Sequence, residues 1–400
     1  MSLTSGAHPK LYKAGMKLAK ISPRLFDYGW QAISFPRAAY MKSKLALGDK
    51  GQVGKIQSVN LELLIRCNLR CTFCWWWGEK GIAYKMLKEN NSLFSRELTK
   101  EEIFNVVDQL AEKHMCSIYL SGGEPFLRND AVDIIEYINN KGMSVATNNN
   151  GTMLTEEKME RLVKLKMFTI NFSVDGPKDV HDKIRGQGNF EKTTKNIQRL
   201  LELRGKSDFP AIKTNTTFSP LILGRTDELI KYLQNEVGVD ATRLTHLWFT
   251  DKAHAEQHKA VLNSIFGTNE SGVDSHLMEP LDQFYIEALA DEIIKVEKTR
   301  YNKPVFIHPR LSHKEIIKYY TDLSFAKRKS CVVPWDSLLI KANGDVMFCP
   351  DHWMDDFRLG NVRDSKIDDL WTGEKARKFR EVLYKNKLFP ACARCCAINF

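Results

Sequence analysis

The sequence predicts an α/β fold built around a parallel sheet, which either curves into a barrel or is doubly wound. Between residues 56 and 250, short apolar runs rich in β-branched residues alternate with longer amphipathic runs, the pattern of repeated strand–helix–strand units. Eight of the nine cysteines form two groups, one near each end of the body of the chain. A chain of 400 residues has room for one large domain and a smaller one.

Six strands and five helices are predicted in alternation. The predicted strands cover 58–65, 117–123, 143–151, 168–176, 211–218 and 242–249. The predicted helices cover 99–114, 131–142, 155–166, 190–204 and 226–236. Parallel strands joined by helices bring their carboxyl ends to one edge of the sheet, so functional side chains are expected in the loops that directly follow the strands.

The remaining chain divides into three further segments. Residues 1–55 form a basic extension before the 56–250 core, and residues 251–330 form a largely helical insertion that includes an amphipathic run at 281–299. Residues 331–400 contain a predicted hairpin whose turn is Asn343-Gly344, and are expected to form a small cysteine-rich α+β domain. The residues Asp251, His254 and His258 follow the sixth strand and are candidate acid–base groups.

Most of the net charge of +10 lies in the N-terminal extension. Residues 1–55 carry ten Lys and Arg side chains against two acids, which leaves only +2 for the rest of the chain. The body is therefore nearly neutral, which argues against nucleic-acid binding. Within the extension, Leu11, Ala14, Leu18 and Ile21 share one helical face, so this segment either lies on an anionic membrane surface or packs on the barrel.

Targeting features are absent from the sequence. There is no run of eighteen apolar residues and no secretory apolar segment at the N-terminus. A cytoplasmic protein is therefore expected, with peripheral membrane contact through the extension as a further option. Nine cysteines in such a protein indicate metal binding better than disulfides.

Three cysteines directly follow the first predicted strand. Cys67, Cys71 and Cys74 have the spacing C-x3-C-x2-C, with no neighbouring His or Cys to complete a four-ligand set. Three thiolates can hold three irons of a cubane 4Fe–4S cluster and leave the fourth iron open, whereas a zinc site would need a remote fourth ligand. The next three residues are Trp75, Trp76 and Trp77, which either cover the site or contact substrate.

Polar motifs follow the later strands. "SGGEP" (121–125) offers two glycines that permit close backbone approach and one carboxylate that can receive an ammonium group. Other polar residues at or after the ends of the later strands are Asn150, Ser173, Arg185 and Asn215. Arg185 is suited to pair with a carboxylate through two parallel hydrogen bonds.

The C-x3-C-x2-C loop followed by GGEP resembles the radical S-adenosylmethionine (radical SAM) superfamily. The resemblance covers residues 58–250 and implies a partial (β/α)6 TIM-like barrel. In that family the methionine amino and carboxylate groups of SAM chelate the open iron. An electron from the cluster then cleaves SAM to methionine and a 5′-deoxyadenosyl radical, which abstracts a substrate hydrogen.

The resemblance also assigns site residues. It implies that Cys67, Cys71 and Cys74 are the cluster ligands and that Phe73 packs near the adenine. Gly122, Gly123 and Glu124 would meet the methionine ammonium, while Ser173, Arg185 and Asn150 would contact other parts of SAM. A reductant such as flavodoxin or ferredoxin is the implied electron donor.

A second cysteine group lies at the C-terminal end, at Cys331, Cys349, Cys392, Cys395 and Cys396. Four thiolates make a closed site that suits a structural zinc or an electron-transfer cluster. The spacing resembles the auxiliary-cluster domain called SPASM in its shortened "twitch" form. It implies one auxiliary 4Fe–4S cluster held by Cys331, Cys349, Cys392 and Cys395, with Cys396 as the alternative to Cys395. The lone Cys116 is expected to pack in the core.

The expected function is that of a radical SAM enzyme assisted by one auxiliary cluster. Such a cluster favours net oxidation or bond formation over isomerisation. The substrate stays open between a peptide side chain, a sugar or cyclitol, and a lipid-linked molecule. The first 55 residues are too short for the leader-binding domain of many peptide-modifying members. The alternative from another class is a non-catalytic iron–sulfur or zinc protein with a membrane- or partner-binding arm.

Overall fold

The computed structural model describes residues 53–79, 81–88, 97–114, 116–268, 272–349 and 357–395. The predicted N-terminal helix and Cys396 lie outside these residues. The predicted alternation of strands and helices is confirmed: seven consecutive parallel strands, joined by helices, form most of one curved sheet.

The sheet has ten strands, in the order β10-β9-β8-β1-β2-β3-β4-β5-β6-β7. The strands are β1 (Ser58–Leu64), β2 (Ser117–Gly122), β3 (Val145–Asn149), β4 (Thr169–Ser173), β5 (Ala211–Thr217), β6 (Ala241–Thr245), β7 (Val305–His308), β8 (Ser337–Ile340), β9 (Asp345–Met347) and β10 (Gly360–Asn361).

Helices cover one face of this sheet. They are α1 (Ile82–Lys88), α2 (Lys100–Lys113), α3 (Ala131–Asn140), α4 (Glu156–Lys164), α5 (Lys178–Arg185), α6 (Asn189–Arg204), α7 (Thr226–Tyr232), α8 (Lys252–Phe266), α9 (Gln283–Lys298), α10 (His313–Thr321), α11 (Ile367–Thr372) and α12 (Glu374–Asn386). Short 3₁₀ helices lie between them, including Gly272–His276 and Pro390–Arg394. None of the described helices is long and apolar enough to cross a membrane.

The two faces of the parallel strands differ in chemistry. Side chains alternate along a strand, and Leu61, Ile118, Ile212 and Leu244 are fully buried in the same core as helix residues such as Ile103 of α2. The opposite face, the inner face of the partial barrel, carries polar side chains. It includes Asn60, Ser121, Asn148, Ser173, Asn215 and Arg243. All of these except Ser173 are partly exposed, so the inner face opens to solvent.

Local sequence explains where the elements begin. Thr99 caps α2 in a capping box with Glu102, each side chain accepting the other residue's backbone N–H. Gly344 at the β8–β9 turn has φ +87°, and the two strands around it pair antiparallel as predicted.

The sheet differs from the six-strand expectation at both ends. The 251–330 insertion contributes a seventh parallel strand, β7, which pairs with β6. Its four residues "VFIH" carry too short a pattern to separate a strand from a loop by periodicity. At the other end β8 pairs parallel with β1, where Ser58 Oγ and Ser337 Oγ lie 2.8 Å apart. The C-terminal hairpin thus continues the barrel sheet.

Candidate active site

The three-cysteine loop leaves the carboxyl end of β1. Cys71 is buried, and Cys67 and Cys74 are partly exposed. Burial raises the pKa of the Cys67 thiol to about 12 and that of Cys71 to about 11, and in both cases neighbouring cysteines add to the rise. These thiols are therefore close enough to repel one another as thiolates, an arrangement that a bound cationic centre relieves.

The donor set fits a cluster better than a single ion. Within the described part of the chain, no three His, Cys, Asp or Glu side chains are grouped closely enough to hold one metal ion. The three thiols nevertheless interact electrostatically. A multi-iron cluster spreads its thiolates over separate irons, so soft ligands that are near but not convergent suit it.

The loop is folded tightly on itself after the third cysteine. A Cβ on Gly78 would lie 2.5 Å from the Cys74 carbonyl oxygen and 2.8 Å from that of Cys71, so only glycine fits there. The Gly78 N–H donates to the Cys74 oxygen at 3.0 Å, and the Trp77 N–H donates to Cys74 Sγ at 3.3 Å. This turn fixes the orientation of the third thiol.

The three tryptophans take different positions. Trp76 and Trp77 are buried in a small core with Ile65, and the Trp76 indole N–H donates to the Ile65 carbonyl at 2.9 Å. Trp75 is partly exposed and stacks on His276, with ring centroids 5.3 Å apart. The ring centroid of Trp248 lies 6.1 Å from that of the same imidazole. An aromatic arch of Trp75, His276 and Trp248 therefore joins the loops after β1 and β6.

The GGEP segment packs against the start of the cysteine loop. A Cβ on Gly123 would lie 1.9 Å from the Arg66 carbonyl oxygen, and one on Gly122 would lie 2.3 Å from that of Leu64. The two glycines thus allow the GGEP segment to pack closely against the protein's own backbone. Glu124 is buried, which raises its pKa to about 7. It accepts the N–H groups of Phe126 at 3.1 Å and Asn150 at 2.7 Å.

Arg185 links two loops of the site. Its Nε donates to Asp175 Oδ2 at 2.6 Å, and its Nη1 donates to Cys71 Sγ at 3.7 Å. The side chain of Asp175 is 1% exposed and also accepts the Thr217 N–H at 2.9 Å. The carbonyl of Ile184 accepts the Thr72 N–H at 3.0 Å, which holds the loop around partly exposed Phe73 against the end of α5.

An amide network lies on the inner face at the carboxyl ends of β3, β4 and β5. Asn215 Nδ2 donates to Asn148 Oδ1 at 2.7 Å, and Asn148 Nδ2 donates to Ser173 Oγ at 3.2 Å. Asn150 lies outside this network. Its amide donates to Asn68 Oδ1 at 2.9 Å and to Cys67 Sγ at 3.8 Å, so it touches the cysteine loop directly.

The second cysteine group is assembled from three segments. Cys331 precedes β8 and Cys349 follows β9. Cys392 lies in the 3₁₀ turn at Pro390–Arg394, and Cys395 directly follows that turn. Burial, and then the nearby Cys392, raise the pKa of Cys331 to about 12. The Cys395 N–H donates to the Cys392 carbonyl at 3.0 Å. Cys116 is buried in the main core.

The candidate acid–base residues after β6 hold this cysteine turn. Asp251 caps α8 by accepting the His254 N–H at 2.7 Å. His254 Nε2 lies 2.9 Å from the Pro390 carbonyl oxygen, and His258 Nδ1 accepts the Ala391 N–H at 3.5 Å. These contacts position the segment that carries Cys392 and Cys395.

Sequence reasoning missed two residues of the site. Asp175 lies near the end of the predicted strand 168–176, but only the fold brings Arg185, ten residues later, onto its carboxylate. Asn148 stands inside "TNNNG" (147–151), where the resemblance pointed to Asn150, the third of three consecutive asparagines. The alternation of faces along β3 would have placed Asn148 with Ser173 and Asn215.

Comparisons with known proteins agree with this geometry. A model of the radical SAM superfamily matches residues 61–235, and a model of the SPASM iron–sulfur cluster-binding domain matches residues 331–396. An AdoMet-dependent heme synthase of Methanosarcina barkeri is 27% identical over 343 residues, covering 84% of this chain and 86% of that protein.

Two further matches also span most of both chains. A tungsten-containing aldehyde ferredoxin oxidoreductase cofactor-modifying protein of Pyrococcus furiosus is 25% identical over 348 residues, covering 84% of this chain and 86% of that protein. The structure of Streptococcus suis SuiB bound to S-adenosylmethionine matches with a TM-score of 0.57 and 14% identity, covering 93% of this chain and 79% of that one.

The family models thus fall on the two cysteine groups and on the barrel between them, and the structural match extends over nearly the whole chain. The chain belongs to the radical SAM superfamily, as an enzyme that uses S-adenosylmethionine, a 4Fe–4S cluster and an auxiliary 4Fe–4S cluster in a C-terminal SPASM-type domain.

Proposed function

We propose that this enzyme abstracts a hydrogen atom from a substrate bound inside the barrel and completes a net two-electron oxidation or a bond formation. The observation that carries the proposal is the placement of the three thiols at the carboxyl edge of β1, beside an inner face that is polar and partly exposed. When bound, SAM and the cluster supply the 5′-deoxyadenosyl radical that removes the substrate hydrogen.

Residues of the chain bind and orient the cluster and SAM in this proposal. We assign Cys67, Cys71 and Cys74 as ligands of the SAM-binding cluster, with the Arg185 guanidinium partly balancing the charge of the Cys71 thiolate at 3.7 Å. The network of Asn148, Ser173 and Asn215 presents hydroxyl and amide groups on the inner face, where they can bind the polar parts of SAM. In this proposal Phe73 packs near the adenine of SAM, and the GGEP segment meets its methionine ammonium group.

The second cysteine group receives the remaining electron in this proposal. Loss of one hydrogen atom leaves a substrate radical, and loss of one further electron and a proton gives the oxidised product. We assign Cys331, Cys349, Cys392 and Cys395 as the ligands of the acceptor cluster. A reductant such as flavodoxin or ferredoxin is the proposed donor to the first cluster.

The names of the relatives bear on the substrate class. The relatives that match along most of their length are named for heme synthesis and cofactor modification, whereas a SuiB structure of the same fold holds a precursor peptide, SuiA. The full-length matches favour a small molecule, and a peptide is the second candidate.

Anaerobic reconstitution tests the reaction class. The expected result is about eight irons per chain, together with 5′-deoxyadenosine formed from SAM only when dithionite is present. Replacing Cys71 by Ala should remove about four irons and abolish this product, whereas Cys116→Ala, a buried cysteine outside both groups, should retain both. Zinc at the first site, or no SAM cleavage by fully reconstituted protein, would contradict the proposal.

A further inference from the structure

A buried arginine of α12 lies beside two of the segments that carry the second cysteine group. Arg380 is 0% exposed, and its Nε donates to the Pro334 carbonyl oxygen at 2.7 Å. Pro334 follows Cys331 by three residues. The guanidinium carbon lies 4.8 Å from the centroid of the Phe348 ring, and Phe348 directly precedes Cys349. The charge of Arg380 is therefore held against the chain segments of both cysteines.

A second buried arginine belongs to the turn that carries the other two cysteines. Arg394 stands between Cys392 and Cys395 in the sequence and is 2% exposed. Its Nη1 and Nη2 donate to the carbonyl oxygens of Phe325 and Asp322, each at 2.8 Å. The two arginines together thus adjoin the segments of all four cysteines that we assign to the auxiliary cluster.

No carboxylate of the described residues forms an ion pair with Arg380. Its Nη1 and Nη2 are buried and make no hydrogen bond, and the guanidinium carbon lies over the ring of Trp371, 4.3 Å from the centroid. Burial, with no charged neighbour opposing it, lowers the pKa of Arg380 to about 9, so the side chain stays positive at neutral pH. A buried charge of this kind is costly unless a negative charge lies near it.

Arg394 is similarly short of negative charge. The carboxylate that acts on it belongs to Asp322, but the hydrogen bond from Arg394 goes to the Asp322 backbone. The guanidinium carbon lies 4.3 Å from the ring centroid of Tyr319 and 5.2 Å from that of Phe249. Aromatic faces therefore hold both arginines in place without neutralising them.

The second cysteine group supplies the missing negative charge when its cluster is bound. Four thiolates outweigh the positive charge of a cubane 4Fe–4S core, so the loaded site is an anion, and reduction by one electron makes it more negative. Attraction to a fixed cation grows with that negative charge. Buried cations beside such a site therefore favour its reduced form and raise its reduction potential.

We propose that Arg380 and Arg394 are the counter-charges of the auxiliary cluster and raise its reduction potential, so that the site is set to accept an electron. This inference rests on the proposed function, which assigns the four neighbouring cysteines as ligands of the acceptor cluster. The electron is the one that leaves the substrate radical, and the proton lost in the same oxidation goes to water. Both arginines are positioning residues, since they act through the charge of the site and touch no substrate.

Potentiometric titration followed by EPR tests the inference. All variants are made in a Cys71→Ala background, so that the auxiliary cluster alone gives the signal of the reduced state. The measured quantity is the ratio of reduced to oxidised cluster at the midpoint potential of the background protein, with dithionite as the reductant. Charges about 10 Å apart inside a protein still change such an equilibrium about tenfold. Arg380→Met and Arg394→Met should therefore each lower the ratio about tenfold, which corresponds to about 59 mV.

Two further variants show whether the charge itself matters. Arg380→Lys keeps a positive charge and should stay within about threefold of the background protein. Arg377→Met removes an exposed charge from the same helix and should leave the ratio unchanged, because solvent screens that charge. Equal ratios in Arg380→Met and Arg377→Met would overturn the inference.

Iron content decides the case in which a variant does not bind the cluster. The background protein should hold about four irons per chain. If Arg380→Met loses these irons and Arg380→Lys keeps them, the positive charge is required and the inference stands. Loss of the irons from both variants would show that Arg380 only packs the domain, and would overturn it.

SAM cleavage, measured in protein that keeps Cys71, separates this inference from the proposed function. If dithionite-dependent 5′-deoxyadenosine forms normally and the ratio does not depend on Arg380 or Arg394, the inference about the arginines alone is wrong. If the ratio shifts as expected but fully reconstituted protein does not cleave SAM, the role of the arginines stands and the reaction class is wrong.

Discussion

The Arg185 guanidinium bridges Asp175, at 2.6 Å, and the thiol of Cys71, at 3.7 Å. The Arg185 and Asp175 side chains are 13% and 1% exposed, so this ion pair is shielded from solvent. It ties the loop after β4 to the cysteine loop after β1. The position of Cys71, a proposed cluster ligand, therefore depends on a carboxylate 104 residues away in the sequence.

Breaking this ion pair should destabilise the protein. Asp175→Asn leaves the Arg185 charge buried without its carboxylate, a change that costs about 3–5 kcal/mol. Urea unfolding of the metal-free protein measures it. Asp179→Asn removes an exposed carboxylate that is paired with Arg225 and should change the free energy of unfolding very little. Equal losses in the free energy of unfolding for the two substitutions would show that the buried Asp175–Arg185 pair stabilises the protein no more than an exposed ion pair does.

The amide network predicts an effect on SAM affinity. Asn148→Ala removes the shared partner of Asn215 and Ser173, so two polar side chains of the inner face lose their orientation. We expect the affinity of the reconstituted enzyme for SAM to fall about tenfold, as measured by isothermal titration calorimetry. Asn302→Ala breaks a similar amide pair, with Asn235, on the surface and serves as the control. An unchanged SAM affinity in Asn148→Ala would place SAM elsewhere.

The auxiliary site predicts different iron losses for two adjacent cysteines. Cys395 is 4% exposed and is hydrogen-bonded to Cys392 through its backbone. We expect Cys395→Ala to lose about four irons per chain after reconstitution and Cys396→Ala to lose none. The reverse result would assign Cys396 as the ligand. Dithionite-dependent 5′-deoxyadenosine shows whether the SAM-binding cluster is intact in each variant.

The acid sensitivity of the fold should depend on His246. This side chain is packed between Tyr319 and Tyr320, with Nδ1 3.1 Å from the Tyr320 hydroxyl. Burial, and then the charge of Arg394, lower its pKa to about 3. Its pKa in the unfolded chain is about 6.5, so the folded state binds fewer protons. The stability that His246 contributes is therefore complete above pH 6.5 and is lost as pH falls toward 3.

Urea unfolding at pH 7.5 and pH 5.0 measures this contribution. Between these conditions His246 should account for about 2 kcal/mol of lost stability. In His246→Gln the free energy of unfolding lost between pH 7.5 and pH 5.0 should be smaller by that amount. His313→Gln changes an exposed imidazole paired with Asp291 and should leave the pH dependence as it was. An unaltered pH dependence in His246→Gln would mean that other groups dominate acid unfolding.

The sequence predicted the repeating part of this molecule well, because strand and helix periods are local properties. All six predicted strands are present, and the cysteine loop and GGEP lie at the carboxyl ends of β1 and β2. β7 was missed because its four residues are recognised only by pairing with β6. Asp175 was missed for a related reason: the meaning of a buried charge depends on partners that only the three-dimensional fold brings near.

The aromatic arch predicts a role for Trp75 in protecting the cluster. Trp76 and Trp77 are buried in a core with Ile65, whereas Trp75 is partly exposed and stacks on His276. Trp75→Leu removes the stacked surface at the carboxyl edge of the barrel and keeps an apolar side chain against that core. We therefore expect the reconstituted protein to lose its visible iron–sulfur absorbance faster in air, by about three- to tenfold if the stack contributes about 1 kcal/mol to keeping the edge closed. Phe284→Leu, which alters a side chain that is 79% exposed on α9, should lose absorbance at the original rate. Equal rates for Trp75→Leu and the unsubstituted protein would show that the arch does not shield the cluster, and would leave substrate contact as the use of Trp75.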